Sequence, residues 1–145
     1  KLKDAPAYSL IDNVLYFWYS ENRGAAFGIL QGMHIFFYII TVIVLLGILY
    51  LLFKLPSNKH YFPLLICGGL IFAGAIGNFI DRIIRNYFVD RQLQSYVVDF
   101  IYFKPINFPI FNFADICVTV GTFVLFICLV FVYKENELEF YKSKI

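Results

Sequence analysis

Residues 35–53 read IFFYIITVIVLLGILYLLF, a run without a single charge that Lys54 closes. As a helix, such a run reaches about 28 Å, close to the roughly 30 Å of a bilayer's hydrocarbon core. Two later stretches have the same character. Residues 63–77 read PLLICGGLIFAGAIG, after which Asn78, Asp81 and Arg82 enter what would be the last turns of a helix. Residues 114–133 are apolar apart from Asp115 and end at Lys134-Glu135-Asn136-Glu137. The expected spans are therefore 33–53, 61–84 and 114–133. The first two are joined by KLPSNKH (residues 54–60), whose Pro56 and Ser57-Asn58 signal a short turn.

The composition agrees. The chain has 145 residues, of which 61% are hydrophobic and 15% charged, whereas soluble domains carry roughly 25% charged residues. This predicts one integral membrane domain over residues 1–145 and leaves no room for a separate soluble one. A net charge of +2, scattered along the chain, gives no reason to expect nucleic acid as a partner. Cys67, Cys117 and Cys128 all lie in apolar runs, where cysteine acts as a small hydrophobe. No Cys/His spacing suggests a metal or a disulfide framework, so no cofactor is expected. His34 and His60 stand at the edges of spans and read as interfacial. The 18 Phe and 11 Tyr crowd the span ends as an aromatic belt does.

Outside the spans, residues 8–19 (YSLIDNVLYFWY) are β-branched and aromatic and read as one or two interfacial strands. Residues 86–107 read as a loop. The fold class expected is an all-α membrane bundle with a small β-rich or loop-built cradle. Because successive spans alternate in direction, four polar islands fall on one side of the membrane. They are Asn22-Arg23-Gly24-Ala25-Ala26-Phe27, Gly77-Asn78-Phe79-Ile80-Asp81-Arg82, Val97-Val98-Asp99-Phe100 and Phe111-Asn112-Phe113-Ala114-Asp115. Lys and Arg are nearly balanced between the two sides, so charge does not fix which side is which.

Carboxylates beside hydrocarbon are costly and call for an explanation. Asp99 and Asp115 could share one proton, the minimal equipment of acid–base hydrolysis. The plainer alternative makes Asp115 a helix cap and Asp99 a turn residue. Asn78, Asp81 and Arg82, at i, i+3 and i+4, share a helix face. They could hold a carbonyl or carboxylate, or simply close a helix with an Asp–Arg pair. Gly69, Ala73 and Gly77 form a ladder of small residues that reads as a packing face. Gly24 and Gly28, with Ala25 and Ala26 between them, permit close approach of another backbone, or just a helix entry. Asn112 precedes Asp115 by three residues and shares its face if the helix begins early. Thr119 and Thr122 read as bonding to backbone.

Taken in order and set between spans, the four islands resemble the bacterial lipoprotein signal peptidase family, signal peptidase II, over about residues 8 to 133. Each motif alone is weak, but the ordered set is specific. The resemblance implies a metal-free aspartic endopeptidase of the bacterial cytoplasmic (inner) membrane. Such an enzyme removes the signal peptide of prolipoproteins just before a diacylglyceryl-modified cysteine. It implies Asp99 and Asp115 as the catalytic pair, with Asn22, Gly24, Ala25, Phe27, Asn78, Asp81, Arg82 and Asn112 at the substrate. It also implies a site open to the extracytoplasmic face, contact with membrane lipid, and inhibition by globomycin-type cyclic peptides.

The family pattern has four spans, with a D-Q-x-x-K-type motif near the first. Three are visible here, in a sequence that begins at Lys1, so a preceding helix is expected. The family also runs from D-R to V-x-D-F in fewer residues. An insertion near residues 86–94 therefore offers a rival, Phe88-Val89-Asp90. Asp99 is preferred for its preceding Val-Val, its following Phe100 and the aromatic run into Asp115. The alternative function is non-enzymatic: a proton- or ion-conducting small membrane protein, or an inactive scaffold of the same fold.

Overall fold

The computed structural model describes residues 3, 5–24 and 33–142. Its elements are β1 (Tyr8–Ile11), β2 (Leu15–Asn22), α1 (His34–Lys54), α2 (Phe62–Ile84), β3 (Tyr87–Val89), β4 (Gln92–Gln94), β5 (Val97–Phe103) and α3 (Phe113–Ile127). Short 3-10 turns cover Lys59–Tyr61 and Lys104–Ile106, a π-helical turn extends α3 over Cys128–Val132, and Glu135–Lys142 forms a terminal 3-10 helix. Three segments, His34–Lys54, Lys59–Ile84 and Phe113–Val132, are long and apolar enough to cross a membrane. Their outward side chains include Ile35, Ile43, Leu46, Phe123 and Phe131, all exposed, as lipid-facing residues are.

The chain divides into two compact units, Lys1–Tyr38 with Asn78–Phe113, and Ile39–Gly77 with Ala114–Ile145. The second is helical. Its core joins Leu64, Cys67, Cys128 and Tyr133, flanked by Leu55, Tyr61, Leu125 and Leu138. The π-helical turn carries a Tyr133 N–H to Cys128 carbonyl bond of 3.0 Å. Tyr133 stacks on Tyr61 and donates its hydroxyl to the His60 carbonyl at 2.5 Å. The helices approach closely at Gly74 and Gly121. A methyl at Gly121 would meet Ile71 Cγ1 at 2.8 Å and the Cys67 carbonyl at 3.0 Å, and one at Gly74 would strike Ala114 and Val118. The ladder expected from spacing holds only in part. Gly77 sits against Ala114, whereas nothing lies within 4 Å of a methyl at Gly69 and Ala73 is exposed.

The first unit contains the sheets. β1, β2 and β5 form a three-stranded sheet in that order, with β2 antiparallel to both neighbours. The expected loop at residues 86–107 is instead mostly strand. β3 and β4 pair as a hairpin whose two turn residues, Asp90 and Arg91, have φ of 48° and 64°, the left-handed pair a two-residue hairpin turn demands. β5 reads VVDFIYF, β-branched and aromatic, and alternates buried Val97, Asp99 and Ile101 with half-buried neighbours. An aspartate in the middle of this apolar alternation, and a partner strand some 80 residues away, hide it from local reading.

Candidate active site

β5 is the element that carries Asp99, and the β2–β5 ladder decides what faces it. At one end Phe17 pairs with Ile101, and at the other Ser20 pairs with Asp99, Glu21 with Val98 and Asn22 with Val97. Three steps on β2 match two on β5, so a β-bulge lies between Phe17 and Ser20. Unbroken pairing from Phe17 would set Tyr19 opposite Asp99 and Glu21 opposite Val97. The extra residue reverses that parity. Asn22 thereby becomes the diagonal neighbour of Asp99 on one face. Glu21 turns to the other side, where Lys3 at 2.8 Å and Arg23 at 2.9 Å hold it.

Asp99 is 2% exposed, and each of its oxygens accepts from a side-chain amide. Asn22 Nδ2 donates to Oδ2 at 3.0 Å, and Asn112 Nδ2 donates to Oδ1 at 2.7 Å. The orientation of the Asn22 amide follows from its other end, where Oδ1 accepts the Gly24 N–H at 3.1 Å. Asn112 is buried too, and the same Nδ2 donates to Asn78 Oδ1 at 3.0 Å. Four expected site residues, Asn22, Asn78, Asn112 and Asp99, thus form one hydrogen-bonded group. A buried carboxylate is tolerated where donors meet it in this way.

The last turns of α2 hold the group from behind. Arg82 is buried, donates to the Gly24 carbonyl at 2.6 Å and lies 5.0 Å from the centre of the Phe37 ring. The Tyr38 hydroxyl donates to the Arg82 carbonyl at 2.8 Å. Asp81, expected at the substrate, is occupied differently: Oδ2 accepts the Val98 N–H at 3.1 Å, and Oδ1 pairs with Arg85. Ala25 and Phe27 lie outside the described residues. Asp115 stands half-buried in the first turn of α3, where the helix dipole favours a carboxylate. It belongs to the second unit. Asp90 is exposed in the hairpin turn. Among the described residues no three His, Cys, Asp or Glu side chains converge as a metal site requires.

Two neighbouring groups escaped the sequence reading. His34 is 2% exposed, with Nδ1 3.2 Å from Ser95 Oγ and Nε2 3.1 Å from Gln94 Oε1. It ties the start of α1 to the strand connection ahead of β5 through buried contacts. The partners lie about 60 positions away in the chain, so no local signal could have revealed the cluster. Beside Asn22, hydrogen bonds from Lys3 and Arg23 hold the Glu21 carboxyl down to about 2, and burial pushes the Tyr19 phenol up to about 12.

Comparison with known proteins adds to this geometry. The family model for signal peptidase (SPase) II matches residues 1–131. The chain is 42% identical over 118 residues to the lipoprotein signal peptidase of Anoxybacillus flavithermus, covering 81% of this chain and 65% of that protein. It is 46% identical over 121 residues to the enzyme of that name from Halalkalibacterium halodurans, covering 83% and 72%. Among solved structures, a bacterial membrane enzyme determined by the in meso method at 2.3 Å superposes with a TM-score of 0.72. The two share 36% sequence identity over 90% of this chain and 76% of that one.

Proposed function

The chain belongs to the signal peptidase II family, and from that premise we propose that it forms the catalytic body of a membrane aspartic endopeptidase. The substrate is a bacterial prolipoprotein, cut just before its diacylglyceryl-modified cysteine. The observation that carries the aspartic assignment is Asp99: a carboxylate 2% exposed, with one amide donor on each oxygen. Such a group is costly to keep and held to a single geometry, as a reacting group is.

In the proposed reaction Asp99 and Asp115 share one proton and titrate as a unit. One carboxylate takes a proton from water as the water oxygen bonds to the scissile carbonyl carbon. The tetrahedral intermediate then collapses. Its C–N bond breaks, and the protonated carboxyl gives its proton to the leaving amine of the lipidated cysteine. Asn22 and Asn112 fix the Asp99 carboxylate, Asn78 orients Asn112, and Arg82 holds the Gly24 carbonyl. Gly24 thereby borders the peptide. The apolar spans hold the substrate's acyl chains, so that lipid binding contributes to orientation. The reading places the protein in the bacterial cytoplasmic membrane, multi-pass, with the site toward the extracytoplasmic face. It also makes globomycin-type cyclic peptides inhibitors. An ion-conducting role would want its carboxylates in mid-span, whereas Asp99 lies on a strand.

The test is cleavage of a diacylglyceryl-modified prolipoprotein by the purified protein in detergent micelles. Asp99→Asn and Asp115→Asn should each abolish turnover, while Asp90→Asn should leave it intact. Full activity in either of the first two would sink the dyad.

A further inference from the structure

The position of Asp99 depends on more than its side-chain contacts. β2 pairs with one edge of β5, and among the described residues no strand continues along the other edge. On that edge the residues on either side of Asp99 are each tied down. After Asp99, the Phe100 and Ile101 N–H groups donate to the Phe111 carbonyl at 3.0 and 2.8 Å. Before it, the Val98 N–H donates to the Asp81 carboxylate at 3.1 Å. That carboxylate is itself held by Arg85, one turn further along α2. A strand edge left without such a partner would be solvated and free to shift. Moving Val98 would carry Asp99 out of reach of Asn22 and Asn112.

We infer that Asp81 is a positioning residue: its carboxylate, oriented by Arg85, clamps the β5 backbone beside Asp99 and does not contact the substrate. The inference rests on Asp99 being a catalytic residue. It differs from the expectation, based on resemblance, that Asp81 lies at the substrate. The side chain is about a quarter exposed, so it supports the site from its edge and not from within the reacting centre.

The experiment compares kcat and KM for Asp81→Ala, Asp81→Asn and Arg85→Gln, with Asp99→Asn as reference, using the purified membrane protein in micelles and a diacylglyceryl-modified peptide. Asp81→Ala should lower kcat by about 10- to 100-fold, the scale of an ångström of misplacement, with KM within about twofold. Asp81→Asn keeps an acceptor oxygen beside Val98, and Arg85→Gln keeps the carboxylate. Asp81→Asn should retain kcat within about threefold, whereas Arg85→Gln, which releases the carboxylate from its orienting partner, should lower kcat by about three- to tenfold at unchanged KM. A rise in KM at unchanged kcat in Asp81→Ala would make Asp81 a substrate contact and overturn the inference, as would wild-type kinetics. If Asp81→Ala does not accumulate, Asp81→Asn decides, and a loss there of tenfold or more refutes the clamp. Activity in Asp99→Asn would instead refute the reaction assignment, so the two failures read differently.

Discussion

Asn112→Ala is the most exacting perturbation of the site. Asn112 Nδ2 serves two acceptors, Asp99 Oδ1 at 2.7 Å and Asn78 Oδ1 at 3.0 Å. The shorter bond has the length of a charge-assisted one. Hydrogen bonds to charged groups contribute about 1.5–3 kcal/mol and neutral ones about 0.5–1.5 kcal/mol. Only the first acts on the reacting carboxylate. If its whole value is felt at the transition state, kcat/KM falls by about 10- to 150-fold, at roughly 1.4 kcal/mol per factor of ten. The bond to Asn78 should appear as lost stability and not as lost rate. The assay is initial-rate cleavage of a diacylglyceryl-modified peptide in micelles, with kcat and KM separated and folding checked by thermal retention. Asn112→Asp sharpens the test, because it sets a second carboxylate where the donor stood. Two carboxyls that close cannot both ionise cheaply. That variant should be less active than Asn112→Ala at neutral pH and should recover on acidification, as the pair takes up a proton. Asn112→Ala within about threefold of wild type in kcat, with the fold intact, would refute the assignment of Asp99 as a reacting group.

Further outcomes follow from the packing and the charges. Gly121→Ala forces a methyl to within 2.8 Å of Ile71 Cγ1 and should cost about 1–3 kcal/mol in detergent thermal unfolding. Gly69→Ala, with nothing within 4 Å, should be neutral or stabilising by up to about 1 kcal/mol from helix propensity. Glu21 is lowered from 4.5 to about 2 by its hydrogen bonds to Lys3 and then Arg23. A depressed carboxyl stabilises the fold above its unfolded value and loses that contribution as pH falls through its folded one. Amide protection in β2, taken relative to the intrinsic exchange rate at each pH, should therefore fall between pH 4.5 and 2 in the wild type, and Glu21→Gln should be free of that dependence.

The three apolar helical segments were legible because a charge-free run is a local property, and each expected boundary lies within two residues of a segment's end. The strands within residues 8–19 were legible for the same reason, since aromatic and β-branched residues crowd together there, although β2 runs on to Asn22. β5 was not, because its central Asp99 breaks the apolar alternation and its support comes from elsewhere in the chain. Asn22 lies 77 positions from Asp99, and Asp81 lies 17 from Val98. The motifs gave the residue types at the site, but not their division of labour. Asp81 and Arg82 are adjacent in sequence, yet one holds the β5 backbone and the other the Gly24 carbonyl. Spacing on a helix tells which residues share a face and not what is opposite it, which is also why Gly69 was wrongly placed in a packing ladder.

The bulge in β2 makes an asymmetric prediction that motif reading could not supply. Ser20, Glu21 and Asn22 pair with Asp99, Val98 and Val97, although Phe17 pairs with Ile101. Deleting Tyr19 removes the surplus residue. Trp18 then falls opposite Phe100, and everything from Ser20 onward keeps its partner, so Asn22 still reaches Asp99. Inserting one glycine between Ser20 and Glu21 moves Glu21 opposite Val97, into the diagonal position that Asn22 occupies. A carboxylate then replaces an amide donor beside a buried carboxylate, and the Lys3 and Arg23 contacts of Glu21 are broken as well. Both changes alter β2 by one residue, and length alone would make them equivalent. Register makes the deletion tolerated, with kcat within about tenfold of wild type, and the insertion close to inactive. Equal activity in the two variants, each confirmed folded, would show that β2 does not position Asn22 through its pairing with β5.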